Sequence, residues 1–573
     1  MNKRSIFVLP GHNETVEHGV GEAGSTAIAR RQFVAGSLAA AGALLVSPAF
    51  LRAALAAPVR AGAGPYGPLQ PPNEAGLMLP EGFTGRQIAR GGTPVSGTPY
   101  PWHFATDGAA SYRTSDNGHV LVSNSEAPSA LGGGSSAIRF GADGSVRDAY
   151  RILAGTNLNC AGGPTPWGTW LSCEEHEAGM VWEADPAGVL PAVPRPALGN
   201  FSHEAAAVDP DEGRVYLTED QGDSCLYRFT PDAYPSLAGG LLEVAVVGAD
   251  RSVTWRAVPD PNLVTQGKTT RTQVPEATKF DGGEGLWYHE GVIYFTTKGD
   301  RKVWAYDARA RKIDVLYHHA LVPDAALNAV DNVTVAPNGD VYVCEDGGNM
   351  EICLITPKRV VAPFCRFGFP DGSVAPDHEG SEMVGVVFDP TGTRMYFGSQ
   401  RAYPHVPGTP AADGALYEVE GPFKLPKGGV PESWVFGPPA GERSEGGGLL
   451  TDEVPGLRVD LAPRVTVGPS GAAVRMRARL DRAATLHLVL RTHEMETKPS
   501  GDATYDRPLP VTLAASQQGL AAGEHELDLT LGLSALTRLI EVGDVSAILT
   551  AVAIHGAGTR AVAARRLALT ASL

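Results

Sequence analysis

The sequence predicts an all-β protein built on a six-bladed β-propeller, with a small β-sandwich-like domain at the C-terminus. Glycine and proline account for 69 and 45 of the 573 residues, a proportion that favours many tight turns between short strands. Six similar strand-turn-strand stretches recur along residues 101–420, as expected for propeller blades. The C-terminal part instead shows alternating apolar and polar residues, which is typical of half-buried strands.

Each of the six repeats begins with an apolar strand that ends in acidic or small polar residues. The repeats start 50, 46, 77, 49 and 54 residues apart, and a period of about 40–50 residues is typical of four-stranded blades. The long interval contains a segment rich in Pro and Thr, residues 258–278, which predicts a loop insertion between blades. Seven blades are the alternative. The apolar strand that leads each repeat is predicted at residues 119–126, 169–175, 215–220, 292–297, 341–346 and 395–400.

The first 56 residues predict an export signal. Arg30 and Arg31 precede a weakly apolar run, residues 34–55, and Ala54-Leu55-Ala56 provides the small residues of a signal-peptidase site. We expect export by the twin-arginine translocase, cleavage after Ala56, and a periplasmic or secreted protein; a retained membrane anchor is the alternative. No later stretch is apolar for about 20 residues, so no membrane span is expected in the mature chain.

Composition divides the mature chain into three parts. Residues 57–421 form the predicted propeller, residues 422–456 a linker rich in Pro and Gly, and residues 457–573 a β-rich module. Alternation within the module, at residues 474–480 and 485–491, predicts a small β-sandwich with a structural or interaction role. The net charge of −16 argues against a nucleic-acid partner. Because a closed propeller leaves no free sheet edge, we expect a monomer.

Carboxylates recur at the ends of the predicted blade strands or just before a strand. Such strand ends meet at one mouth of a propeller's channel, although they are far apart in sequence. Gathered anions repel each other and need cations among them, and carboxylate oxygens suit Ca²⁺, which takes about 6–8 oxygen ligands. The alternative is that these acids cap turns or face solvent. The candidate metal ligands are Glu126, Glu174, Glu175, Glu204, Glu219, Asp220, Glu284, Asp331, Glu345 and Asp346.

Six cysteines lie in the predicted propeller, and none forms a Cys-x-x-Cys pair, which argues against structural zinc. An even number permits disulfides in an oxidising compartment. Cys173, Cys344 and Cys353 lie inside predicted strands and are expected in the core. Cys160 lies in the Gly-rich stretch 157–163, and a thiolate beside carboxylates needs a metal to stay ionised. Cys160 is therefore a candidate metal ligand; a buried thiol or half-cystine is the alternative.

Five stretches of the predicted propeller together form a recognisable pattern: residues 159–175, 201–206, 216–220, 283–287 and 331–335. They resemble the PhoX-type alkaline phosphatase family and occur in the family's order. The resemblance covers roughly residues 101–420 and implies a six-bladed propeller, twin-arginine export, and a phosphomonoesterase site of iron and calcium. It also implies that Cys160 binds iron and that Glu175, Glu204 and Glu284 contribute to the metal cluster.

The chain departs from the family at one position of the fourth blade. The family pattern there is Arg-Gly-Glu-Gly, and its arginine helps to hold phosphate, whereas this chain has Gly282. Since glycine supplies no guanidinium fork, the nearby cations Lys279, Lys298 and Arg301 are candidates to replace it. We assign phosphate binding to Lys298 and Arg301. We assign catalytic roles to Glu284 and Asn124.

The expected function is that of an exported metal-dependent phosphomonoesterase that acts on small phosphoesters. The absence of a Gly-x-Ser-x-Gly elbow at a strand end argues against a serine hydrolase. Two alternatives stay open: a calcium-dependent lactonase or esterase propeller, and a non-catalytic binding propeller. Metal content distinguishes them, because the phosphatase needs iron and calcium, the lactonase calcium alone, and the binding propeller no metal.

The export signal yields the first testable prediction. Replacing both Arg30 and Arg31 with Lys will strand an uncleaved precursor in the cytoplasm, because the twin-arginine pair is the element that the translocase reads. Cell fractionation and N-terminal sequencing measure this, with Arg4→Lys as the control that keeps the pair intact. Normal export and cleavage of the double variant would show that a different signal operates.

Overall fold

The computed structural model describes residues 58–262, 269–324, 326–403, 413–439, 457–461, 464–467, 473–480, 483–492, 512–531, 544–555 and 560–571. The predicted signal peptide, with its arginine pair and cleavage site, lies outside them. Helical structure in this part of the chain is limited to short 3-10 turns, and none of its helices is long and apolar enough to cross a membrane. The 3-10 turns are Ser129–Leu131, Pro196–Leu198, Thr270–Thr272, His319–Leu321, Pro376–His378 and Glu432–Trp434.

Six β-sheets form a six-bladed propeller, which confirms the predicted fold class. Three strands precede the repeats: β1 (Arg60–Ala61), β2 (Leu77–Met78) and β3 (Thr84–Arg90). Blade 1 contains β4 (Thr106–Arg113), β5 (His119–Ser125), β6 (Gly134–Phe140) and β7 (Val146–Ala154). Blade 2 contains β8 (Asn159–Pro164), β9 (Trp170–Glu174), β10 (Val181–Ala184) and β11 (Val193–Pro194).

Blade 3 contains β12 (His203–Asp209), β13 (Arg214–Glu219), β14 (Tyr227–Ala233), β15 (Ser236–Val247) and β16 (Val253–Ala257). Blade 4 contains β17 (Gly283–His289), β18 (Val292–Thr297), β19 (Lys302–Asp307) and β20 (Lys312–His318). Blade 5 contains β21 (Val333–Val335), β22 (Val341–Cys344), β23 (Glu351–Ile355) and β24 (Val360–Phe367). Blade 6 contains β25 (Met383–Phe388), β26 (Arg394–Ser399) and β27 (Ala415–Glu420). The long interval between the third and fourth repeats holds the fifth strand of blade 3, β16, as well as the predicted connection.

The N-terminal strand β3 closes the ring, which the sequence did not reveal. It pairs antiparallel with β27 and thereby supplies the outermost strand of blade 6. The first strands of the blades contact their neighbours all round the ring, including blade 6 against blade 1. These strands line the central channel.

The hydrophobic core lies between neighbouring blades, where aromatic side chains of the second strands are buried. Tyr342 of blade 5 packs against Phe388 of blade 6, with ring centroids 5.2 Å apart. Tyr396 of blade 6 packs against Phe140 of blade 1 at 5.5 Å. Aromatic pairs of this kind stabilise the contact beyond their buried area, so the apolar centres of the repeats hold one blade to the next.

A β-bulge recurs in the channel-lining strands. In blades 1, 2, 3, 4 and 6 the register between the first and second strands shifts by one residue near the start of the first strand. A bulge bends the strand and changes the direction of a side chain. The residue after the redirected side chain is small where blades approach closely: a Cβ on Gly108 would lie 2.5 Å from the Cα of Ala161, and one on Gly285 would lie 2.5 Å from the Cα of Asn332.

The C-terminal module contains two sheets that contact each other, as expected for a β-sandwich. One sheet has the order β28 (Leu457–Leu461), β30 (Ala473–Leu480), β33 (Gly523–Thr530); the other has β29 (Arg464–Val467), β35 (Arg560–Ala571), β34 (Asp544–His555), β31 (Ala484–Thr492), β32 (Thr512–Leu520). Alternate residues of β30 are buried, from Val474 to Leu480, so the period-2 pattern points one face inward as predicted. The module boundary at residue 457 stays a prediction.

The described part of the predicted linker, residues 422–439, packs against the propeller. The ring of Phe436 lies 6.2 Å from Tyr112 in blade 1 and 5.9 Å from Trp287 in blade 4, two blades on opposite sides of the ring. The indole of Trp434 donates a hydrogen bond to the carbonyl of Val335 in blade 5 at 3.0 Å. All these partners lie toward the far ends of the channel-lining strands, so the segment crosses the channel end opposite the bulges.

This crossing segment yields a stability prediction. Phe436→Ala will lower the free energy of unfolding by about 1–3 kcal/mol, because a half-buried ring that bridges opposite blades is lost. Denaturant unfolding of the full chain measures the effect. Phe369→Ala is the matched control, since that ring is 42% exposed. Equal destabilisation by the two substitutions would show that the crossing segment contributes nothing specific.

Candidate metal centre

The bulges of four blades each turn one side chain into the same mouth of the channel, and a fifth side chain joins them from blade 5. Blades 1 to 4 contribute the first residue of their bulges, and blade 5 contributes the residue two positions before β21. In blade 6 the bulge carries Gly385 and Val386, which offer no ligand atom. The five side chains that converge are Asp107, Cys160, Glu204, Glu284 and Asp331.

A second set of side chains lies at the same mouth, just after the second strands. Glu126 and Glu175 belong to it and join the bulge residues in three overlapping groups, within each of which the ligand atoms lie within 4.8 Å of one another. The groups are Asp107, Glu126 and Cys160; Cys160, Glu175 and Glu204; and Glu204, Glu284 and Asp331. Because Cys160 and Glu204 are shared, the groups form one continuous cluster across five blades.

Two cationic side chains interact with the cluster. Lys298 Nζ lies 2.7 Å from Asp220 Oδ2 and 2.8 Å from Glu284 Oε1. Burial opposes the charge of Lys298, but these carboxylates outweigh it and raise its pKa. Arg401 Nη2 lies 2.9 Å from Glu382 Oε1, and the arginine side chain is 48% exposed. Two positive charges thus face a larger number of acids.

Burial and mutual repulsion raise the pKa of the clustered acids. For Glu204 desolvation is the main cause, followed by the charge of Glu284. Desolvation and then the charge of Glu126 raise the pKa of Asp107 to about 7. The pKa of the Cys160 thiol rises through burial first and Asp107 next. Without cations the cluster therefore retains protons, and bound cations would replace them.

Six of the predicted ligands come together in this cluster: Cys160, Glu126, Glu175, Glu204, Glu284 and Asp331. Asp220 lies beside it through Lys298. Asp346 lies close enough for its charge to raise the pKa of Asp331, after desolvation and the charges of other acids. Their role as metal ligands stays a prediction.

The structure places three other predicted ligands elsewhere, because successive side chains of a strand point to opposite faces. Each is the first acid of an adjacent pair and turns into its blade while the second faces the mouth. Glu174 accepts hydrogen bonds from the backbone of Asn157 at 2.9 Å and the indole of Trp182 at 3.0 Å. Its carboxylate therefore caps backbone and side-chain donors inside the blade.

Glu219 and Glu345 also point into their blades and accept hydrogen bonds there. Glu219 accepts a hydrogen bond from the Tyr227 hydroxyl at 2.7 Å and pairs with Arg271 at 2.9 Å. Glu345 accepts a hydrogen bond from the backbone N–H of Asn328 at 2.6 Å. These three acids are corrected to structural roles, as the alternative of turn-capping acids had anticipated.

Asn124, predicted as catalytic, is fully buried. Both the nitrogen and the oxygen of its side-chain amide are engaged in hydrogen bonds within the protein. Its Nδ2 donates to the carbonyls of Cys160 at 3.1 Å and Ala161 at 2.7 Å. Its Oδ1 accepts from the indole of Trp170 at 2.8 Å and from Ser172 at 2.9 Å. The contacts are incompatible with substrate contact and indicate that Asn124 holds backbone.

Of the cations considered for phosphate binding, Lys298 alone reaches the cluster. Arg301 donates to the side chain of Asn328 at 3.0 Å, so its predicted role is corrected. Gly282 has a φ of +68°, and a Cβ there would lie 3.0 Å from Lys298 Cγ. An arginine at position 282 would be strained and would displace Lys298. The lysine therefore uses space beside the position where the family has its arginine.

Sequence reasoning missed four side chains at the mouth: Asp107, Glu382, Gln400 and Arg401. Gln400 Nε2 donates to Asp107 at 2.6 Å and also to Glu126. Asp107 stands before Gly108 at the start of a strand, the same acid-then-small-residue pattern as Glu284-Gly285, which was a usable signal. Arg401 and Gln400 follow a strand without acids and carried no comparable signal.

All six cysteines have free, buried thiols, so the half-cystine alternative for Cys160 is wrong. Cys173, Cys344 and Cys353 are fully buried in strands, as predicted. The cluster thus offers one thiol among carboxylates, and Glu204 Oε1 is buried with no hydrogen-bond partner among the described residues. A buried unpaired carboxylate oxygen beside other acids fits bound cations.

Comparison with solved structures finds several that are similar to the chain at low identity. Solved structures similar to the chain include a gluconolactonase from Xanthomonas campestris (16% identity, TM-score 0.33, 63% of this chain and 99% of that one). Others are a putative gluconolactonase (13%, 0.35, 63% and 97%) and the calcium-binding protein regucalcin from Agrobacterium tumefaciens (12%, 0.31, 60% and 97%). At these scores they carry no argument about function.

No curated protein matches the chain. The sequence profile described as "Alkaline phosphatase PhoX" matches residues 102–183 and 176–402, which together cover more than half of the 573 residues and all of the clustered side chains. The chain belongs to the PhoX alkaline phosphatase family.

Proposed function

We propose that this protein is an exported, metal-dependent phosphomonoesterase that releases phosphate from small phosphoesters. The observation that carries the proposal is the continuous cluster of Cys160 and carboxylates at one channel mouth of a chain in the PhoX alkaline phosphatase family. Such a density of buried acids fits several bound cations. Phosphomonoesters, which are anionic, need that positive charge in order to bind.

The donor set supports two kinds of metal. Carboxylate oxygens are hard ligands that suit calcium, whereas a thiolate favours a transition metal such as iron. We therefore propose iron at Cys160 with Glu175 and Glu204, and calcium among the remaining carboxylates. Bound there, the ions would act as Lewis acids that polarise the phosphoryl oxygens.

The side chains of this protein supply the remaining interactions with substrate. Lys298 and Arg401 carry the positive charges at the mouth, in blades 4 and 6, and we propose that they bind phosphoryl oxygens. Glu284 stays the proposed catalytic residue, because its carboxylate lies in the cluster and is held by Lys298. The segment around Phe436 crosses the other channel end, so substrate enters from the mouth where the cluster lies.

Export through the twin-arginine translocase to the periplasm or the outside of the cell is part of the proposal, as is a monomeric state. That route carries folded proteins, which suits a cluster that must be loaded with metal before export. Elemental analysis of protein exported by its own host, together with phosphate release from an aryl phosphate, tests the function. Calcium without iron, with lactone hydrolysis, would favour the lactonase alternative instead.

The thiol provides a specific prediction about metal content. Cys160→Ala will reduce bound iron about tenfold or more while much of the calcium is retained, because only the soft ligand is lost. Elemental analysis of purified full-length protein measures both metals. Cys365→Ala is the matched control, since that cysteine is also buried but lies in β24, outside the cluster. Full iron content in the Cys160 variant would refute the assignment.

Lys298 provides a kinetic prediction. Lys298→Met will raise KM for an aryl phosphate about ten- to a hundredfold, because a charge-assisted contact worth about 1.5–3 kcal/mol is lost. Lys298→Arg will recover part of the loss. Lys279→Met serves as the control, because Lys279 Nζ lies against the thiol of Cys225 at 3.5 Å instead of the cluster. Indistinguishable KM values for the two Met variants would contradict the proposed phosphate contact.

A further inference from the structure

Thr218 connects the bulges of two neighbouring blades. It lies on β13 opposite the bulge of its own blade, which contains Glu204 and Ala205. Its Oγ1 accepts a hydrogen bond from the backbone N–H of Ala205 at 3.1 Å and donates one to the carbonyl of Glu284 at 2.6 Å. The hydroxyl thus joins the backbone beside one clustered acid to the backbone of the next.

The equivalent position on the second strands of blades 4 and 1 does the same. Thr296, opposite the bulge of blade 4, donates to the carbonyl of Asp331 in blade 5 at 2.5 Å. Asn124, opposite the bulge of blade 1, donates to the carbonyl of Cys160 in blade 2 at 3.1 Å. In three blades, therefore, a buried polar side chain holds the peptide of a clustered residue in the following blade.

We propose that Asn124, Thr218 and Thr296 are positioning residues of the metal cluster. Each fixes the backbone of one ligand-bearing residue across a blade interface, so that the spacing between ligands of adjacent blades is set before metal binds. The inference rests on the metal-binding function proposed above. It makes the affinity for metal depend on groups that touch neither metal nor substrate, as is common for side chains that orient ligands.

A purely structural role predicts something different. A buried hydroxyl that only stabilises the fold would, when removed, lower the melting temperature without a separate effect on metal binding. Thr334 offers the matched control. It is fully buried in the propeller like Thr218, but its hydroxyl has no hydrogen-bond partner among the described residues.

The experiment compares Thr218→Val, Thr218→Ser and Thr334→Val in the full chain. Calcium is titrated calorimetrically into each metal-stripped protein, iron content is measured after reloading, and the melting temperature of the metal-free form is recorded. We expect Thr218→Val to weaken calcium binding about 10–100-fold, the usual effect of losing a group that orients a ligand. Thr218→Ser, which keeps the hydroxyl, and Thr334→Val will bind calcium like the wild type.

Equal calcium affinities for Thr218→Val and Thr334→Val would overturn the proposal. If Thr218→Val does not fold, Thr296→Val is compared with Thr334→Val by the same measurements, and the same two results decide. A wild type that binds metal but releases no phosphate would refute the phosphatase function and leave the calcium comparison valid. A wild type that binds neither calcium nor iron would overturn both.

Discussion

The repeated β-bulge of the channel-lining strands is the feature on which the site depends. An uninterrupted strand would alternate its side chains between the two faces of the blade, toward the neighbouring blades. One extra residue per strand redirects a side chain along the channel axis instead. Because the blades are related by rotation, four such residues from distant parts of the sequence reach the same mouth. Asp331, which precedes β21 without a bulge, joins them there. The small residues that follow them, such as Gly108 and Gly285, let adjacent bulges approach closely.

This convergence creates an electrostatic problem that protein groups alone do not solve. Lys298 and Arg401 neutralise only part of the negative charge, and desolvation raises the pKa of Glu204, Glu284 and their neighbours. The inter-blade hydrogen bonds hold the backbone in place against this repulsion. A rigid ring with closely spaced acids and one thiol is therefore arranged for cations, which would relieve the repulsion and displace the retained protons.

The sequence predicted the blades and much of the site because the repeats carry their own period. It could not distinguish the two acids of a pair, since strand alternation sends Glu174 into the blade and Glu175 to the mouth. Asn124 was misassigned for a related reason: a polar residue near acids in sequence points to the next blade's backbone. The closure by β3 and the crossing of the channel by Phe436 depend on contacts between distant segments, which a local pattern does not record.

Closure of the ring relates the fold to the proposed route of export. Blade 6 combines β3, which precedes blade 1 in the sequence, with β25 to β27, so the ring closes only after the whole propeller has been synthesised. The acids from blades 1 to 5 meet at one mouth of that closed ring. The proposed metals would therefore bind to a folded propeller, and a route that translocates folded proteins would allow the cluster to be filled before export. In the proposed function the ring would close first, the cluster would then be filled with metal, and export would follow.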